Sequence, residues 1–391
     1  MELKKILSLI PNSLLEELAI ETEVDVFTKK LQGEVIFKLL LHCILTHKEN
    51  SLRTMESAYE TLVFKLINRK YQQESIRFNS ISARLSVINP LYFERLFESC
   101  VGIYKKEIGK EKEDIVRFDS TIVSLTTKLL SVGYHLKGGD ADKFRQLKFT
   151  VGFANNIPEM AHFYYEQQYT SENVALKETL LKQAKYDKES IKVFDRGITS
   201  RNTYDELSER KITFISRLNN HAKHTIVKAN DGAAIFPMET TSLTITSDDW
   251  CQLYGSDKKA KHLVRRIGAV VKDSGESIVF VTNSTALTAV EVTVLYRKRW
   301  DIEVFFKFIK QHLNFSHLIN RSENGIKVVL YVTMIAAVLL LAYKRINQLK
   351  GYKIPKLKFA VELETEIVRD IVLMCGGNAD KLNEILLCNT T

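Results

Sequence analysis

The stretch Tyr296-Arg297-Lys298-Arg299-Trp300-Asp301-Ile302-Glu303-Val304-Phe305-Phe306-Lys307-Phe308-Ile309-Lys310 gathers carboxylates, aromatic rings and five cations into fifteen residues. Its apolar spacing predicts one helix. At about 100° per residue, Tyr296, Arg299, Glu303 and Lys310 fall within an arc of roughly 60°. A phenol, a guanidinium, a carboxylate and an ammonium then share one face, and Phe306, Ile309 and Leu313 supply the apolar contact that seats it. An Arg beside a Glu on a helix is ordinarily a surface ion pair. That reading accounts for two of the four residues and leaves the tyrosine and the second cation unexplained.

The surroundings narrow the possibilities. The chain has 391 residues, 45% hydrophobic and 26% charged, with 16 glycines and 5 prolines, in the ordinary range for a globular protein large enough for two or three structural parts. Its net charge of +9 is carried by one region: residues 251–350 hold 16 Lys and Arg against 7 Asp and Glu. A basic field around the 296–310 stretch suits a polyanionic partner. Cys43, Cys100, Cys251, Cys375 and Cys388 have no paired spacing, which argues for a reducing compartment and against a disulfide framework or a zinc site. The apolar run near the N-terminus, Ile6 to Pro11, is too short for a signal peptide. Val328 to Tyr343 is shorter than the roughly 20 residues of a bilayer span, so it reads as a buried core helix, with no membrane partner.

Along the chain, residues 1–110 read as helical, with an apolar helix over Glu34–Thr46 and a short one near Ser80–Ser86. Lys105 to Asp114 is a mixed-charge linker. Strand-like runs then follow at Ile115–Ile122, Phe144–Phe153 and Met160–Gln167, a helix at Asn173–Ala184, a strand at Ile191–Asp195, a helix at Arg201–Arg210 and a strand at Ile212–Leu218. Three strands, helix, strand, helix, strand is the order of a ribonuclease-H-like domain. Further strand-like runs occupy 220–283, and Thr288 with Glu291 forms a candidate capping box opening the next helix. The expected fold class is α/β. A ribonuclease-H-like catalytic core (111–219 and 284–346) carries a β-rich insertion (220–283) before its last catalytic helix, with a helical N-terminal DNA-binding region (1–110) and a helical C-terminal region (347–391).

Asp119 ends one strand and Asp195 another. Carboxylates on adjacent strands lie side by side at one sheet edge, and Glu303 on a helix packed there makes a third. Such a group is tolerable when divalent cations lie between its members, and hard oxygen ligands favour magnesium or manganese. Taken singly, each aspartate is more readily a turn cap.

In combination, the pattern Tyr296, Arg299, Glu303, Lys310 resembles the Tyr-Arg-Glu-Lys signature of bacterial DDE transposases of the insertion-sequence-four group. Phe118-Asp119-Ser120-Thr121 and Phe194-Asp195-Arg196-Gly197 resemble that group's two aspartate motifs, and Phe214-Ile215-Ser216-Arg217 the segment after the second. The resemblance spans about residues 115–345. Ile198 stands where the group usually has Tyr, and the stretch around Lys148 lacks a common His.

The resemblance implies cut-and-paste transposition of a mobile element. Asp119, Asp195 and Glu303 would hold two Mg2+ (or Mn2+) ions and catalyse strand cleavage and strand transfer at terminal inverted repeats. The partners would be the double-stranded repeats and target DNA, bound by a homodimer, in the bacterial cytoplasm at the nucleoid. Tyr296, Arg299 and Lys310, and more weakly Lys307 and Arg297, would grip phosphates. A hairpin intermediate needs an aromatic under a flipped base, for which the two tryptophans, Trp250 and Trp300, are candidates, each with a core-packing alternative. The competing reading is an inactive or domesticated relic that binds DNA without cutting.

Overall fold

The computed structural model describes residues 6–47, 49–71, 75–109, 114–125, 133–135, 145–230, 236–255, 259–315 and 317–378, with Lys381 and Glu384. Cys388, residues 110–113 of the charged linker, Phe144 and most of 379–391 lie outside these described residues. The chain divides into two compact units, one of residues 1–110 with 308–391 and one of residues 111–307.

The first unit is helical. Its helices are Asn12–Glu21, Gly33–Thr46, Leu52–Glu60, Leu62–Ile67, Phe78–Val87, Leu91–Glu107, Glu323–Ile346 and Lys353–Met374. At its centre lies Glu323–Ile346, opened by Ser322, whose hydroxyl accepts from the Gly325 amide at 3.0 Å. This helix is long and apolar enough to cross a membrane, yet 94% of its apolar window is buried inside the structure. It packs on Leu91–Glu107, Gly33–Thr46 and Phe78–Val87. A helix apolar on all sides needs such complete coverage, and each fully buried Leu or Ile contributes roughly 1.5–3 kcal/mol.

The second unit is built on one mixed sheet. Its strands are β1 (Ile115–Leu125), β2 (Tyr134–His135), β3 (Arg145–Ala154), β4 (Ile157–Tyr164), β5 (Ile191–Phe194), β6 (Phe214–Leu218), β7 (His224–Ala229), β8 (Met238–Glu239), β9 (Leu243–Leu253), β10 (Val264–Val271) and β11 (Ser277–Thr282). The order is β2-β3-β1-β5-β6-β11-β10-β9-β7, with β4 also on β3 and β8 also on β9. β1, β3 and β4 pair antiparallel, while β1, β5 and β6 run parallel. The strands of 220–283 are not separate from this sheet. They continue it, because β11 pairs antiparallel with β6.

Both faces of the central strands are covered, so apolar residues point to both sides. Val116, Phe118, Phe194 and Phe214 pack with Leu176 and Leu180 of helix Glu172–Tyr186 and with Tyr204 and Leu207 of helix Arg201–Glu209. Their neighbours Ile115, Val193 and Ile215 face the other way, onto Ala289 and Val292 of helix Ala289–Arg297. That helix opens with the capping box expected from Thr288 and Glu291.

The single helix expected over 296–310 is corrected. One helix ends at Arg297, Lys298 and Arg299 form a turn, and a second helix runs Trp300–His312. The amides of Arg299, Asp301 and Ile302 bond to the carbonyls of Tyr296, Lys298 and Arg299, three residues back rather than four. The backbone tightens there, as helix ends commonly do. Past the turn, Phe305 and Phe306 pack their rings against Phe153 and Phe149 of β3, at centroid distances of 5.2 and 6.1 Å.

Candidate active site

The strand register brings the two aspartates together. β1 and β5 pair in parallel up to Phe118 opposite Phe194; Asp195 follows the end of β5, whereas Asp119, expected to end its strand, lies inside β1, which runs on to Leu125 against β3. Asp119 is fixed by its neighbour's backbone, since the Ser120 amide donates to Oδ1 at 2.8 Å. Asp195 is fixed in the same manner by the Gly197 amide at 2.7 Å, while its own carbonyl accepts from the Ser216 hydroxyl at 2.9 Å. Gly197 is needed for space: a Cβ there would stand 2.6 Å from Glu172 Cγ and 2.9 Å from Asp195 Oδ1.

Glu303 reaches this pair through Arg299. Arg299 Nη1 lies 3.4 Å from Asp119 Oδ2, and Nη2 donates to Glu303 Oε1. The guanidinium also lies over the Tyr296 ring, 5.8 Å from its centroid. Tyr296 packs edge-on against Phe280 of β11 at 5.3 Å. The break in the helix therefore still gathers phenol, guanidinium and carboxylate, now by folding the turn toward β1 rather than by helical periodicity. The side chains of Asp119, Arg299 and Glu303 are 20%, 14% and 34% exposed, so the cluster is reachable from solvent but largely dry.

Burial pushes the Asp119 carboxyl from an ordinary 3.8 up to about 7. The Ser120 amide and Arg299 pull it down, and the charges of Asp195 and Glu172 push it further up. Burial opposes the charge on Arg299, but Tyr296, Glu303 and Asp119 outweigh it and hold the guanidinium above its usual range. Burial likewise raises the Tyr296 phenol, with Arg299 and Arg217 working against it. Tyr296 is therefore a protonated donor at neutral pH.

The donor set suits a hard divalent cation, being carboxylate oxygens at a site where unrelieved negative charge is unfavourable. Asp119 and Asp195 meet that requirement. Among the described residues no three His, Cys, Asp or Glu side chains are grouped to hold one ion, and Glu303 directs its carboxylate to Arg299 instead.

Arg297, Lys307, Lys310 and Trp300 are exposed on the two helices, with Trp300 62% exposed. Trp250 is half-buried in β9, and its indole N–H donates to Asn230 Oδ1 at 2.9 Å. Sequence reading missed Arg117, Glu172 and the demand for glycine at 197. Arg117 carried a signal, as a charge inside an apolar strand two residues before an acid. Glu172 opens a helix and carried none. It is paired with buried Lys148, 3.4 Å away, whose ammonium also donates to the Thr170 carbonyl at 2.9 Å.

Comparison with known proteins follows the same span. The sequence matches the transposase DDE domain family over residues 110–341. It is 25% identical over 309 residues to a putative transposase for insertion sequence element IS4SA of Synechocystis, covering 77% of this chain and 78% of the relative. It is 28% identical over 184 residues to the putative transposase y4zB of Sinorhizobium fredii, covering 47% of each, so the chain aligns with about half the length of that relative. A probable transposase for element IS5377 of Geobacillus stearothermophilus is 28% identical over 153 residues, 39% of each chain. A cryo-EM structure of a piggyBac transposase synaptic complex with hairpin DNA aligns over 95% of this chain and 81% of that one. Its TM-score of 0.49 and 10% identity are too loose to bear on function. The family match takes in well over half of the sequence and contains Asp119, Asp195 and Glu303, and the chain belongs to the transposase DDE domain family, with insertion-sequence transposases as its relatives.

Proposed function

We propose that the protein is the transposase of an insertion sequence and moves it by cut-and-paste, cleaving DNA at terminal inverted repeats and joining the freed ends to target DNA. The observation that carries this reading is the placement of Asp119 and Asp195 after the last paired residues of two parallel neighbours, with Glu303 tied to Asp119 through Arg299. The antiparallel β1-β3-β4 set beside parallel β5 and β6 supports a ribonuclease-H-like core. Asp119, Asp195 and Glu303 are the proposed catalytic residues.

Asp119 and Asp195 would hold divalent cations, Mg2+ or Mn2+, with Glu303 as a further ligand once it leaves Arg299. When bound, such ions supply charge neutralisation at the attacking and leaving oxygens of phosphoryl transfer. The Ser120 and Gly197 amides each fix one oxygen of their aspartate and so preset the orientation of the other. In cleavage, water adds to the phosphorus as the bond to the 3′ oxygen breaks, leaving a 3′ hydroxyl. In strand transfer that hydroxyl adds to the phosphorus of a target phosphodiester as the bond to the target's own 3′ oxygen breaks, leaving a new 3′ hydroxyl on the target strand.

Arg299 pairs with both Asp119 and Glu303, and a DNA phosphate offers its guanidinium a bidentate partner in their place. Tyr296 donates its phenolic proton to a phosphate oxygen. Lys307, Lys310 and Arg297 extend the grip along the strand, and Trp250 or Trp300 gives a flipped base a stacking surface. The protein would act as a homodimer on DNA at the bacterial nucleoid, with the helices of 1–110 contributing end recognition.

The test begins with the DNA around the gene. Matching inverted repeats outside the reading frame, bracketed by a short direct repeat, are expected, and the purified protein should bind a duplex carrying one of them above a scrambled control. Binding with no cleavage in Mg2+ or Mn2+ would favour the relic reading, and no preference for the repeat would sink both.

A further inference from the structure

Arg117 is a charge buried inside the central sheet. It is one of the two largest fully buried side chains, 2% exposed, in the middle of the sheet and two residues before Asp119. Strand alternation puts it on the same face as Asp119, while Val116 and Phe118 turn to the opposite core. Its Nε donates to the Lys298 carbonyl at 3.0 Å, Nη1 to the Phe153 carbonyl at 3.5 Å, and Nη2 lies 3.4 Å from Asp301 Oδ2. The guanidinium also sits 6.0 Å from the Phe153 ring centroid.

Burying an arginine costs several kcal/mol, and an apolar side chain of similar volume packs a core at least as well. What an apolar residue cannot do is hold two polar groups at fixed points. The groups held here are those of the helix break. Just past the end of helix Ala289–Arg297, Arg117 donates to the Lys298 carbonyl, which also accepts from the Asp301 amide three residues on. It also takes Asp301, in the first turn of the next helix. Arg299, which bridges Asp119 and Glu303, lies between these two anchor points, and Glu303 follows two residues after the second. One side chain thus fastens the strand of the first acid to the turn that delivers the third.

We infer that Arg117 is a positioning residue for strand cleavage: its guanidinium fork sets the Lys298–Asp301 turn and thereby the placement of Arg299 and Glu303 against Asp119. The inference rests on the transposase reading. Lysine cannot replace it, because a single ammonium lacks the planar fork that spans a carbonyl and a carboxylate. A displacement of about 1 Å at a reacting centre can lower the rate about a hundredfold.

The experiment compares wild type with Arg117→Lys, Arg117→Met and Asp301→Asn. Asp301 is 52% exposed, so that variant removes one anchor without opening the core. Two quantities are read on the full chain: amide exchange over residues 296–306, and single-turnover cleavage of a terminal-repeat duplex beside the Kd for it. Expected for Arg117→Lys are loss of protection confined to 296–306 and cleavage of the bound duplex slowed roughly 10- to 100-fold, with a much smaller rise in Kd. Asp301→Asn should move in the same direction by a smaller factor. Unchanged exchange over 296–306 in Asp301→Asn and in whichever Arg117 variant folds overturns the inference. So does a fall in cleavage matched by an equal fall in DNA binding, the mark of a merely structural role. If wild type binds but never cuts, the transposase reading fails, while the exchange measurement still decides whether Arg117 anchors the turn.

Discussion

Replacing Asp119 by Asn should change how the fold responds to pH, and by an amount the site fixes. Burial raises this carboxyl from 3.8 to about 7, so the folded protein binds a proton there that the unfolded chain has already released. Stability contributed by a raised carboxyl is full below the unfolded value and is lost as pH rises through the folded one. From 3.8 to about 7, linkage gives a loss of about 1.5 kcal/mol by pH 5 and about 4 kcal/mol by pH 8. Wild type should therefore lose about 2.5 kcal/mol more than Asp119→Asn between pH 5 and pH 8. The absolute difference at one pH is not diagnostic, because the Asn amide also meets Arg299 differently, but that offset does not vary with pH. Urea denaturation of both proteins at half-unit steps from pH 5 to 8, without divalent cations, measures the slope. Millimolar Mg2+ should flatten the wild-type curve and leave the variant's unchanged. Stability curves that run parallel across this range would refute the claim that Asp119 is a destabilising buried charge awaiting a cation.

Three further outcomes follow from packing. Gly197→Ala places a Cβ against Glu172 and Asp195, so it should cost roughly 1–3 kcal/mol in urea denaturation and weaken cleavage by shifting Asp195. Arg265 is fully buried and paired with Asp248 at 2.7 and 2.5 Å. Arg265→Met should cost about 3–5 kcal/mol by stranding that carboxylate, whereas Arg265→Met with Asp248→Leu should recover most of the loss in a double-mutant cycle. Ile335→Ala, at the fully buried centre of helix Glu323–Ile346, should cost about 2–5 kcal/mol and leave the protein in the aqueous fraction, as a core helix rather than a membrane span requires.

Much of this organisation was legible in the sequence because it rests on short-range pattern. The strands of both aspartates, the capping box at Thr288 and the buried helix around Val328–Tyr343 come from apolar runs, turn residues and cap chemistry, all encoded locally. The break at Lys298–Arg299 was not legible, since Tyr296 to Lys310 has unbroken helical periodicity and contains no proline or glycine. What holds the break is Arg117, some 180 residues earlier in the chain and invisible to any local window. The strands of 220–283 looked like an insertion because sequence order places them after β6. Only their pairing, β11 onto β6, shows that they extend the same sheet. Glu172 went unnoticed for the same kind of reason, because an acid in the first turn of a helix is ordinary until Gly197 and Lys148 are seen packed against it.

If Asp119, Asp195 and Glu303 act as one metal-dependent site, cutting DNA should require both the metal and all three acids. The most direct measurement is single-turnover cleavage of a duplex bearing the element's terminal repeat, in Mg2+ and in Mn2+, with wild type and Glu303→Ala under conditions where both bind the duplex fully. Wild type should cut at the repeat end only when the metal is present, and Glu303→Ala should bind with the wild-type Kd and leave the duplex uncut. Cleavage by Glu303→Ala at the wild-type rate would contradict a three-acid site.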